Sequence, residues 1–351
     1  MRGRGMTYDT GFVRNGSNSR ETFDLSRVEE ELAIIRTELN CNAVHIVGSA
    51  PERLEAAARF AMKLGLEIWF SPYPLEQAPD QILALFADCA ERAERLRRAG
   101  ADVVFVAGVE LSVMNRGFVE GEDVNERLGR LLASPQWREE RFAEASRRLN
   151  AFLANAVPII RDRFQGSVTY ASIQFEAVDW ELFDFVTVEL IRSAAVADIF
   201  RSSVRTLVRQ QSKPVAITGF GTATWRGAGD MAPRSMEIIE NDPTTGAPVR
   251  LNGVYERDET GQADYLTDLL EVFDSEGVDS AFVFLFALDN LPHRPDGDPH
   301  EDLDLASLSI VKVLEGHNGS TYPQMPWEPK AAFTAIAEFY ARSRSSQHKS
   351  N

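Results

Sequence analysis

The chain reads as an α/β protein: one (β/α)8 TIM barrel over residues 1–342, with long loops after strands 4, 7 and 8. Three observations predict it. Short apolar runs alternate with amphipathic helical stretches from end to end, eight of each, the fifth helix being only a short piece. The apolar runs are continuous, as in parallel strands covered on both faces. The long connections Met114–Arg138, Gly221–Gly261 and Asp289–Glu328 each follow a strand, the face where barrel enzymes build their sites. The first β–α turn carries neither GxGxxG nor a P-loop, which counts against a doubly wound sheet.

The elements follow in order. A strand over Met6–Phe12 leads to a helix over Asp24–Leu39, where Ser26 and Glu29 suggest a capping box and Val28, Leu32, Ile35 and Leu39 one apolar stripe. The second strand is Asn42–Gly48; its helix is opened by Pro51 and closed by Gly65. Glu67–Tyr73 is the third strand, followed by a helix over Asp80–Ala99. Asp102–Val113 is the fourth, with a helix over Glu139–Phe164 containing Pro158. Val168–Phe175 and the short piece Asp179–Phe183 come next, then Asp184–Arg192 with a helix over 195–211. Pro214–Phe220 with Gln262–Gly277, and Ser280–Leu288 with Pro329–Tyr340, complete the alternation. Residues 343–351 read as a polar, disordered tail.

Charge and composition narrow the function. The 351 residues are 44% hydrophobic and carry a net charge of −16, so binding to the phosphates of nucleic acid or to an anionic membrane surface is disfavoured. No apolar run of 18 residues spans a bilayer, and the arginines of MRGRGMTYDTGF precede no secretory apolar region. Cys41 and Cys89 have no metal-ligand spacing. The expectation is a reduced cytoplasmic protein that uses no metal or cofactor and takes a small-molecule substrate.

Glu110 ends a strand otherwise made of Val, Phe, Ala and Gly, which aims a carboxyl at the barrel mouth. Together with PVAITGFG at strand seven, FVFLFALDN at strand eight and WEPKAAFTAIAEFY at the last helix, the chain resembles the clan A glycoside hydrolases over Tyr8 to about Tyr340. Within them it is most similar to an actinobacterial-type branch labelled "abortive infection protein". The resemblance implies a glycoside or polyol-like substrate, Glu110 as general acid/base and a nucleophilic glutamate ending strand seven. Retaining hydrolysis needs the two carboxyls ~5–5.5 Å apart. This chain, however, reads Thr218-Gly219-Phe220-Gly221, so the implied nucleophile position is vacated. A natural repurposing and an engineered Glu→Gly change both account for Gly219. The neighbours favour the natural one: His45 stands where such enzymes commonly place an arginine, and Glu189 to Arg192 where they often place a tyrosine.

His45, Glu176 and Glu189 are then candidate substitute bases. Tyr8, Asp9, Phe70, Tyr73, Arg192, Trp225 and Arg226 are candidate substrate contacts at strand ends or in long loops, and so are Asp289 and His293 after strand eight. The carboxylates and histidines of Asp289–Asp304 match no metal-site spacing. The glycine-bearing loop after strand seven is expected to act as a mobile lid. Three functions fit: a glycosidase-like enzyme, a non-hydrolytic acid/base enzyme (elimination, isomerisation or cyclisation) of secondary metabolism, and a ligand-binding pseudoenzyme.

Overall fold

The computed structural model describes residues 1–14 and 17–347. Eight parallel strands close on themselves: β1 (Gly3–Asp9), β2 (Ala43–Gly48), β3 (Glu67–Pro72), β4 (Val103–Val109), β5 (Ser167–Ser172), β6 (Val186–Glu189), β7 (Val215–Phe220) and β8 (Ser280–Val283). Each strand pairs with its neighbours in chain order, and β8 pairs with β1, giving a (β/α)8 TIM barrel. Among the described residues, seven long helices surround it: α1 (Leu25–Thr37), α2 (Pro51–Lys63), α3 (Pro79–Arg98), α4 (Arg138–Arg161), α5 (Ala197–Gln210), α6 (Glu259–Glu276) and α7 (Ala331–Gln347). After β5 there is only the 3-10 turn Trp180–Leu182.

Most boundaries move by a few residues, for local reasons. β1 begins at Gly3 rather than Met6 because Gly3 and Gly5 lie where side chains would run into Ser280 and the Phe282 ring of β8. Asp24 caps α1, accepting from the Ser26 and Arg27 N–H groups at 2.8 and 3.0 Å, so Ser26 lies inside the first turn and not at the cap. β4 stops at Val109, because Glu110 adopts a left-handed conformation and a short helix, Leu111–Met114, follows at once. α7 runs on to Gln347, so part of the expected tail is helix, and 348–351 lie outside the described residues.

The main core lies between barrel and helices, where Ile46, Phe70, Phe105, Tyr170 and Phe220 point outward from the strands. Inside the barrel, Trp69 packs against Phe282 at 4.9 Å and Phe185 at 5.1 Å, forming an aromatic floor. Above that floor the interior turns polar, with Thr7, His45, Ser71, Thr169, Thr187 and Thr218 all buried.

The loops after β7 and β8 form one body. Ile238, Leu251, Leu285, Leu288, Leu291, Leu303, Leu305 and Leu308 make a second apolar core between them. Arg257 pairs with Asp302 and Asp304 at 2.9 and 2.7 Å, and Lys330 reaches Asp304 at 2.9 Å, both ends fully buried. The hairpin of Ile239–Asn241 with Pro248–Leu251 hangs from this core. The loop expected to be a free lid is therefore fastened at its base.

Candidate active site

Glu110 sits at the turn out of β4 with φ 48 and ψ 39, a region that side-chain-bearing residues seldom occupy. Its surroundings hold it there. The Glu110 N–H donates to the Ala171 carbonyl at 2.9 Å, and the Leu111 N–H to the Tyr170 hydroxyl at 2.9 Å. Behind the turn, Glu176 accepts from Tyr170 Oη at 2.9 Å, from the Ile173 N–H at 3.1 Å, and from the Ser112 N–H and hydroxyl. Glu176, expected as a substitute base, braces the Glu110 turn from the segment after β5. Burial raises its pKa to about 7 against those donors.

Across the mouth, Glu189 ends β6 in register with Gly219 of β7, where a bulge shifts the pairing. Its Oε1 takes the Thr218 hydroxyl, and its other oxygen leans over Gly219. A β-carbon on residue 219 would overlap Glu189 Oε2 and come within 2.8 Å of its Cδ. Gly219 has an ordinary strand backbone, so glycine is needed here for room and not for conformation. The space vacated at strand seven is not an empty cavity, because a carboxylate from strand six stands in it.

Among the described residues, no cation acts on either glutamate. Burial pushes Glu110 well above the usual carboxylate range, and the charges of Glu189 and Glu176 add to the effect. Burial raises Glu189 to about 7, with the Thr218 hydroxyl pulling the other way. Both carboxyls are biased towards their protonated forms, and the charge of Glu189 acts on Glu110.

The remaining candidates divide by strand parity. Asp9 is on the inner face of β1, since Thr7 reaches the Thr218 carbonyl inside the barrel at 3.4 Å while Tyr8 points out to Glu31 of α1. Burial raises Asp9 to about 6, opposed by the Ser19 hydroxyl and the Gly11 N–H. His45 is also inside, its Nδ1 3.4 Å from Thr7 Oγ1 and its ring against Phe282. Burial drives its pKa down to about 3, so it stands as a neutral imidazole. Tyr73 caps the barrel interior, edge-on to Phe12 at 5.5 Å.

Other candidates are engaged by partners of their own. Tyr8 belongs to the outer network with Arg20 and Glu31, and Phe70 stacks on Phe105 in the helix-facing core. Asp289 is held by Arg27 through two bonds of 2.8 Å, and His293 by Asp302 and Arg257. Arg192 lies beyond the end of β6; its guanidinium covers the Tyr265 ring and pairs with Asp268. Trp225 donates to the Ser235 carbonyl and packs on Tyr255, and Arg226 pairs with Glu256 on the surface. Sequence reasoning missed Ser71 and Trp69, which the alternation in EIWFSPY places inside once Phe70 is read as facing out.

Among the described residues, no group of three or more His, Cys, Asp or Glu side chains is placed to hold a metal ion. None of their helices is long and apolar enough to cross a membrane. A surface groove of about 750 Å³ between the helix Val124–Leu132 and α4 shares no lining residue with the mouth. Three of its arginines are paired, Arg130 with Glu120 and both Arg147 and Arg148 with Glu144.

Compared by sequence, the chain matches no family profile and no curated protein. Solved structures do resemble it. A GH113 β-1,4-mannanase aligns with a TM-score of 0.57 at 13% identity, covering 97% of this chain and 99% of the other. The GH113 β-mannanase AaManA from Alicyclobacillus acidocaldarius gives 0.59 at 13%, covering 97% of each. A β-glucuronidase from Ruminococcus gnavus gives 0.54 at 15%, covering 97% of this chain and 49% of that one. The fold is that of the TIM-barrel glycoside hydrolases.

Proposed function

We propose that the protein is a glycosidase-like acid/base enzyme acting on a small glycoside, with Glu110 and Glu189 as its working carboxyl pair. One observation carries the reading: the Glu189 carboxylate occupies the room that glycine leaves at 219, so the carboxylate implied at strand seven is supplied from strand six. Glu110, desolvated and without a cation, keeps a proton to give to a leaving oxygen. Glu189, anchored by Thr218, faces the substrate as the partner carboxylate. A side chain reaching over from a neighbouring strand favours natural repurposing of the site over a point change at 219.

The acid/base reading without a glycosyl intermediate draws on a different feature of the same pair. A carboxyl raised to about 7 shuttles a proton readily at neutral pH, whereas a nucleophile must be ionised. The likeness to the "abortive infection protein" branch rests on motif order alone and contributes no residue role.

A panel of aryl glycosides tests the assignment. General acid catalysis is worth ~10²–10⁴-fold, so Glu110→Gln and Glu189→Gln should each lower kcat by about that factor with KM little changed. Full activity in either variant would remove that residue from the chemistry. Loss of binding without loss of rate would point to a recognition role instead.

A further inference from the structure

The wall opposite Glu189 carries polar groups that the fold itself does not satisfy. β1, β2 and β3 lie across the barrel from β6, and Asp9, Val47 and Ser71 pair in one row along them. Asp9 is 2% exposed and Ser71 fully buried. The Asp9 carboxylate takes the Gly11 N–H at 2.7 Å on Oδ1 and feels the Ser19 hydroxyl, while among the described residues Asp9 Oδ2 and Ser71 Oγ have no hydrogen-bond partner. Buried polar atoms in native proteins are nearly always paired, so two orphans in one row call for a ligand that completes them. The acceptor and the hydroxyl flank a single valine, a spacing that brackets a hydroxylated ring.

Charge on this wall sets which ring fits. Arg20, the cation nearest Asp9, is engaged by Glu31 and by the Tyr8 hydroxyl on the outer side of β1. Arg27 is held by Glu31 and Asp289. His45, between the two strands and one row lower, is neutral.

Resting on the glycosidase-like reading above, we propose that Asp9 and Ser71 form a recognition wall that takes the hydroxyl-bearing face of an uncharged sugar ring and rejects a ring carboxylate. A sugar hydroxyl donates to Asp9 Oδ2, and Ser71 donates to a ring or hydroxyl oxygen. A ring carboxylate would instead place a second negative charge beside Asp9, whose neighbouring Arg20 is already engaged by Glu31, a disfavoured like-charge contact.

The test pairs kinetics with binding. Wild-type protein is assayed on matched aryl hexosides and aryl hexuronides, and titrated with the corresponding methyl hexosides and methyl hexuronides by NMR. The neutral series should be preferred by about 100-fold. Asp9→Asn, which keeps an acceptor for the Gly11 N–H, should raise KM for the neutral substrate about tenfold, leave kcat within threefold and narrow the preference. Ser71→Ala should raise KM alone. Glu110→Gln should lower kcat without moving the preference. Equal binding of the uronide series, or an unchanged KM and preference in folded Asp9→Asn, would overturn the wall. Neutral-selective binding that Asp9→Asn weakens, with no turnover of any aryl glycoside, would uphold the wall and sink the glycosidase reading. Absence of binding to either series would sink both.

Discussion

Glu189 and Gly219 face each other across β6 and β7, and the carboxylate of the first fills the volume that any side chain on the second would need. The pair acts as one feature. Glycine at 219 is what lets a residue one strand away present its acid at the place where the resemblance implies the nucleophile.

That relationship has a consequence for stability. A carboxyl whose pKa rises from 4.5 unfolded to about 7 folded binds more protons in the native state over that interval. Its contribution to stability is full below about pH 4.5 and is lost as pH rises through 7. The whole shift corresponds to roughly 3 kcal/mol. Glu189→Gln should therefore gain on the wild type as pH rises from 5 to 8, seen as a growing positive difference in Tm. A difference that stays flat would mean that Glu189 is not desolvated as described.

The opposite sign is expected at Glu31. It is fully buried, bonded to Arg20 and Arg27 at 2.7 Å each, to the Tyr8 hydroxyl at 2.6 Å and to Trp327 Nε1 at 2.9 Å. Burial would raise its pKa, but the two arginines win and hold it at about 2. Breaking a buried pair from one side costs ~3–5 kcal/mol, so Glu31→Gln should destabilise the fold by about that much at pH 7. The deficit should shrink as pH falls from 4.5 towards 2, where the wild-type carboxylate itself takes a proton. Denaturant titrations at pH 7 and pH 3 measure both effects, and an equal deficit at the two would contradict the assigned charge state.

The loop after β7 should not behave as a free lid. Its base is tied to the loop after β8 by Arg257 and by the Leu251–Leu305 core. Trypsin should cut at the exposed Arg234 and Arg250 equally with and without a bound sugar. Arg257→Met should speed both cuts by releasing the base from Asp302 and Asp304. Ligand protection at Arg234 in the wild type would restore the lid.

The barrel was legible because its strands are continuous apolar runs and its long loops share one face. Glu110 was legible as a lone carboxyl ending such a run. The rest of the site was harder to read because it depends on parity and reach. A three-residue error in where β1 begins does not by itself reveal that Tyr8 faces Glu31 while Asp9 faces the interior. Phe70 drew attention as an aromatic at a strand end, yet the inward residues are its neighbours Trp69 and Ser71. Gly219 read as a gap because a sequence shows the missing side chain at one position and cannot show a neighbouring strand's carboxylate leaning over it. Asp289 and His293 are placed beside the mouth in sequence, but arginines more than 30 residues away claim them.

The central claim is that Glu189 works from the space over Gly219, and kcat for Gly219→Ala on the best aryl glycoside tests it most directly. The strand backbone accepts alanine without strain, so the methyl group acts only by displacing the Glu189 carboxylate. Gly219→Ala should remain folded and lose about as much rate as Glu189→Gln, ~10²–10⁴-fold. An alanine variant with full activity would contradict the account, as would a Gly219→Glu variant that turns over faster than the wild type.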